Sequence, residues 1–179
     1  MNQNLANQFS QFKQDFNKFY VPKQNELDKY IRNKKNISNE DWNNNKFYQK
    51  AHYIALKTEV GELVNECRDV WKYWKDKPED KTKIIDEFVD VLHFVTLIFN
   101  KQNMNENDFM SLVEKVIDLS TNKEPIEKVY KLSEVEHYID ILGYSLSVMF
   151  EHYQFTAEDI KIAYGNKNNE NYTRQQTGW

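Results

Sequence analysis

Four glycines and three prolines are spread over 179 residues, and this scarcity is what most limits the fold. Gly and Pro are the strongest punctuation a chain has. Long stretches without them read as long helices with short connections. Leu5, Phe9, Phe12, Phe16 and Phe19 recur at helical spacing and mark a first amphipathic helix, broken near Pro22. A short helix is expected over 23–32. Ser38 with Asp41 resembles a capping box that opens a long helix running to about Lys75. Its apolar stripe is Val60, Leu63, Val64, Cys67, Val70, Trp71 and Trp74. Pro78 suits the first turn of a helix over about 79–100. The middle of that helix, IIDEFVDVLHFVTLIF, is apolar nearly all round, as a central buried helix is. Further helices are expected over 107–120, from Pro125 to about His152, and from the Thr156–Asp159 capping box to near Gly165. The polar tail beyond reads as weakly structured by itself. No strand-like alternation is present. The expectation is one all-α helical bundle domain over 1–179.

The balance of charge and the single cysteine exclude several function classes. A net charge of −4 gives no general attraction to nucleic acid or to an anionic membrane, so neither is an expected partner. No apolar run reaches the length of a membrane span. The first residues, MNQNLANQFSQF, are too polar for a signal peptide. Cys67 cannot form an internal disulfide, which fits a reducing compartment. The expected localisation is cytoplasmic.

Two acidic steps carry the chemistry: Glu59-x-x-Glu62 and Glu87-x-x-Asp90. Residues three apart share a helix face, so two such helices can aim four carboxylates at one point. Four converging carboxylates repel unless a cation lies between them. Hard oxygen ligands suit Mg2+, with Mn2+ as substitute, and magnesium usually arrives with substrate phosphates. Most acidic residues on helices are simply solvated, and the lone spacing is common. Three details point the other way. No Lys or Arg sits at i+3 or i+4 from Glu59 or Glu62 to offset their repulsion. Around the helix, Glu87 neighbours Ile84, Val91, Phe94 and Ile98, and a carboxylate in an apolar wall must be paired, protonated or metal-bound. The second step also repeats the first in a helix expected to pack against it.

His93, three residues beyond Asp90, also resembles half of a di-iron carboxylate site, although position 65, where the first segment would need its histidine, is Asn. Trp71 fits core packing or stacking on a planar base, and Trp74 fits core packing. In the tail, Lys167, Asn168, Asn171 and Arg174 combine cations with amide donors, the composition of a segment that folds over a triphosphate.

Together these pieces resemble one family, the dimeric all-α dUTP pyrophosphatases of the MazG-like nucleotide pyrophosphatase superfamily. The segment from Gln24 to Asp28 resembles the family's early Q-x-x-hydrophobic-N/D motif, with Gln14 and Asn17 as a competing alignment. EVGELVNECRDVWKYWK resembles its E-x-x-E helix with downstream tryptophans, and DEFVDVLHF its E-x-x-D-x-x-H-F helix. YGNKNNENYTRQQTGW resembles its closing segment, with an extra Asn166 and with Trp179 in place of tyrosine. The resemblance implies a helical bundle of the all-α nucleotide pyrophosphatase type that hydrolyses dUTP, with dUDP as a second substrate, as a homodimer. It implies that Glu59, Glu62, Glu87 and Asp90 hold magnesium and that Glu59 deprotonates the attacking water. Gln24 and Trp71 would contact uracil, and His93 and Phe94 the deoxyribose. Lys167, Asn168, Asn171 and Arg174 would close on the phosphates as a lid over 165–179. The rival readings are a related pyrophosphatase acting on dCTP or other nucleotides, a di-iron carboxylate bundle, and a non-catalytic interaction protein.

Overall fold

The phenylalanine stripe of the first residues forms helix α1 (Gln3–Asp15), started by Asn2, whose side chain accepts from the Leu5 amide at 2.9 Å. Pro22 does not break it. In this computed structural model, which describes residues 2–178, α1 passes through a π-helical turn at Phe16–Tyr20 into α2 (Val21–Lys35). The Val21 amide reaches back to the Phe16 carbonyl. That wider turn takes up one extra residue just before the proline, where an ordinary turn would press the i−4 carbonyl against its ring. The extra residue also rotates the stripe. Phe12, Phe16 and Tyr20 are fully buried, whereas Phe19 is only partly so.

The long helix expected from Ser38 to Lys75 is instead three pieces. Ser38 caps α3 (Asn39–Asn44), and Asn45, in an extended conformation, restarts the chain as α4 (Lys46–Glu66). The Asn43–Asn44–Asn45 run explains the break, because asparagine competes for its own backbone and favours caps. A kink at Cys67 separates α4 from the short α5 (Arg68–Trp71). There the Trp71 indole N–H donates to the Val64 carbonyl at 2.8 Å, satisfying one of the carbonyls that α4 leaves unpaired at its end. Trp74 lies beyond α5 and is 57% exposed, so it is not a core residue.

Helix α6 (Lys81–Asn100) is capped by Asp80, with Pro78 just outside it. It is the central helix expected from its composition, burying Ile84, Phe88, Val91, Leu92, Val95 and their neighbours. Helices α2, α4 and α10 (Ala157–Thr177) pack on it, and α10 also packs on α2. The remaining layer is α7 (Glu106–Ser120), α8 (Pro125–Glu134) and α9 (Tyr138–Ser147), the last followed by a π turn at Val148–His152. The single helix expected over 125–152 is therefore broken at 135–137, where Val135 is extended and His137 caps α9. Helices α7 and α9 approach closely because Gly143 has no side chain. A Cβ there would lie 2.6 Å from Val116 Cβ.

The largest departure is α10. It opens on the expected Thr156–Asp159 capping box but runs through Gly165 to Thr177, so the polar tail is helical. Of the tail motif, Trp179 alone lies outside the described residues. Among those residues no strand occurs, and no helix is long and apolar enough to cross a membrane.

Candidate active site

Helix periodicity and the α4–α6 packing bring the acidic steps together. Glu59 on α4 and Glu87 and Asp90 on α6 offer carboxylate oxygens that all lie within 4.8 Å of one another. Glu62 is exposed at the edge, but its charge still acts on Glu59 and Glu87. Burial, followed by the charges of Asp90, Glu62 and Glu87, pushes Glu59 up to about 7, with Lys167 opposing. Glu87 and Asp90 are also raised, first by burial. Three half-buried carboxylates at this spacing face Lys167 of α10, whose Nζ pairs with Asp90 at 2.7 Å, and the Arg174 charge also acts on Asp90. Burial would lower the Lys167 pKa, yet its bond to Asp90 and the acidic surroundings raise it, so it stays charged. The excess negative charge and the all-oxygen donor set fit a hard divalent ion.

Beside the carboxylates lies a cavity of about 270 Å³. Glu59, Asp90, His93 and Phe94 line it from α4 and α6, Gln24 and Asp28 from α2, and Asn171 and Arg174 from α10. Trp42 of α3 closes one side. The polar groups of its wall are wired together. Gln24 Nε2 donates to Asp28 Oδ1 at 2.8 Å, and Gln24 Oε1 lies 2.7 Å from His93 Nδ1 and accepts from the Tyr164 hydroxyl at 3.0 Å. Burial, then the Lys167 charge, lowers His93 to about 3, so the ring is neutral. Its other nitrogen, Nε2, is buried with no protein partner. Burial raises Asp28 to about 7 against the opposing pull of Gln24, Arg32 and Lys101.

A family model described as dUTPase matches residues 4–179. The chain belongs to the dUTPase family. Its activity is dUTP diphosphatase activity, the hydrolysis of dUTP. Comparison with curated proteins and with solved structures gave no match.

Within this dUTPase the expected residues fall into three groups. Gln24, Glu59, Asp90, His93, Phe94, Asn171 and Arg174 share the cavity, with Glu87 and Lys167 attached through the carboxylate cluster. Glu62 stands at the edge. Asn168 is buried, with its amide nitrogen unpartnered, and does not line the cavity. Trp71 does not line this cavity. It lines a separate hollow with Val64, Ile126, Val129, Tyr130 and Ser133. Gln14 is exposed, whereas Gln24 is buried and lines the cavity. His93 is not part of the carboxylate group, leaving that cluster without the nitrogen ligand a di-iron half-site needs.

Asp28, Trp42, Tyr164 and Leu97 were missing from the expected set. Asp28 is four residues from Gln24 and Leu97 four from His93, so helical spacing places each beside a residue already singled out. Tyr164 follows from the tail motif only if the tail is helical. Trp42 comes from a separate short helix, and no local pattern points to it.

Proposed function

We propose that this dUTPase holds magnesium, with manganese as substitute, on Glu59, Glu87 and Asp90, with Glu62 completing the set, and releases pyrophosphate from dUTP at the adjoining cavity. The observation that carries this reading is the convergence of three carboxylates from two helices at one point. Bound there, the metal would neutralise the triphosphate and lower the pKa of the attacking water. Glu59 takes the proton as general base. Lys167, Asn171 and Arg174 come from one face of α10 and bind the phosphates, with α10 acting as the closing element over 165–179. Phe94 packs on the deoxyribose, and the unpartnered His93 Nε2 accepts from it.

Gln24 does less at the base than an unconstrained amide would. Its oxygen already serves two donors, so only its second Nε2 hydrogen remains. That hydrogen can read a carbonyl of uracil, where cytosine would present an amino group. dUDP carries the same base and sugar and is the expected second substrate. Phe47 and Ile54, seven residues apart on α4, are exposed apolar side chains that support a homodimer. The single buried Cys67 fits a reducing cytoplasm.

The test is pyrophosphate release from dUTP, dCTP, dTTP and UTP with magnesium, for wild type and Glu59→Gln. Preference for dUTP that is lost in Glu59→Gln supports the reading. Preference for dCTP would move the base assignment, and full activity of Glu59→Gln would remove Glu59 from the mechanism.

A further inference from the structure

The hydrogen-bonded wall of the cavity has one end of fixed polarity. Above its raised value of about 7, Asp28 is an ionised carboxylate that can only accept, so it turns the nitrogen of the Gln24 amide towards itself. The amide oxygen then faces the other way, where His93 Nδ1 and the Tyr164 hydroxyl lie at 2.7 and 3.0 Å. Facing an oxygen acceptor, Nδ1 must carry the imidazole proton. Nε2 is then a bare acceptor, buried and without a partner in a residue that lines the cavity. Tyr164 fixes the ring as well as the amide. Its own ring stacks on the imidazole with centroids 3.9 Å apart and planes 16° from parallel. Each of these side chains is at most 5% exposed, so water does not compete for the bonds.

We propose that Asp28 and Tyr164 are positioning residues that act through Gln24 to hold His93 as its Nδ1–H tautomer, so that Nε2 demands a hydroxyl donor from the sugar of the substrate. The sugar assignment rests on the site reading given above, whereas the tautomer does not. Neither residue touches the reacting atoms. Their effect is on what the histidine requires: a sugar that donates, not one that only accepts.

The first measurement is the 15N spectrum of the His93 ring in the substrate-free wild type at pH 8, above the raised Asp28 value of about 7. The expected result is a single neutral Nδ1–H tautomer. A ring protonated on Nε2 would overturn the relay, whether or not dUTP proves to be the substrate. The second measurement compares dUTP with its 3′-deoxy-3′-fluoro analogue, which keeps an acceptor and loses the donor. Loss of one hydrogen bond at a buried acceptor should raise the KM of the wild type for the analogue roughly tenfold. Asp28→Asn removes the fixed end, because a carboxamide can present either polarity to Gln24. In that variant the expected results are a mixed His93 tautomer and a narrower gap between the two substrates. An equal rise in both KM values, with the tautomer unchanged, would make Asp28 a merely structural residue and refute the proposal.

Discussion

Removing the Glu59 charge should make the metal-free protein more stable, not less. Burial and three neighbouring carboxylates raise Glu59 from 4.5 to about 7. Each tenfold change in proton affinity is worth about 1.4 kcal/mol, so full withdrawal from water would make the ionised form cost ~3 kcal/mol. Glu59 is only partly buried, and solvent screening brings the cost to about 1–2 kcal/mol. Because the folded pKa lies above the unfolded one, the folded protein binds the extra proton between about 4.5 and 7. Stability therefore falls as pH rises through that window, and the penalty is complete above it.

Glu59→Gln keeps the shape and removes the charge. At pH 8 in chelator the variant should melt roughly 3–6 °C above wild type, and near pH 4 the difference should vanish. Magnesium should reverse the order, since a ligand at a hundred times its dissociation constant adds about 2.7 kcal/mol to the protein that binds it. Melting curves at the two pH values, with chelator and with magnesium, read all of this in one experiment. A lower melting temperature for Glu59→Gln at pH 8 in chelator would refute the charge-repulsion argument. An undiminished response to magnesium would remove Glu59 from the metal site.

Lys167→Gln should raise the affinity for Mn2+ measured by calorimetry without nucleotide by roughly tenfold, because it removes a positive charge paired with Asp90 at 2.7 Å. The same change should raise the KM for dUTP. Phe94→Ala should narrow the preference for dUTP over UTP in pyrophosphate release by roughly tenfold or more, the scale on which an apolar wall rejects an added hydroxyl. Gly143→Ala should cost about 2 kcal/mol in denaturant unfolding, since its Cβ would lie 2.6 Å from Val116 Cβ. Trp71→Phe should cost about 1 kcal/mol by the same measurement, because it leaves the Val64 carbonyl at the end of α4 without its donor.

The helices were legible wherever the pattern was long and apolar. α6 shows this best: its all-round apolar middle put it at the centre, and the packing of α2, α4 and α10 on it follows. The carboxylate cluster was legible for the same reason, because three-residue spacing on two helices that must pack leaves few alternatives. The breaks were not. Asn45 and Cys67 interrupt what reads as one amphipathic stripe, and a single backbone angle decides each interruption. Pro22 misled in the opposite direction, since a π turn absorbs a residue at almost no cost in hydrogen bonds.

The tail shows why local propensity fails where tertiary contacts decide the conformation. Residues 165–179 are rich in Asn and polar throughout, and by themselves they have little reason to form a helix. Three contacts from outside the segment account for α10. Tyr164 stacks on His93 and bonds Gln24, Lys167 pairs with Asp90, and Tyr172 packs on Tyr30 with ring centroids 5.2 Å apart. Two of the three end on residues of the site. The helical order of the tail therefore rests on tertiary contacts, one of them the Lys167–Asp90 pair, and not on its own sequence.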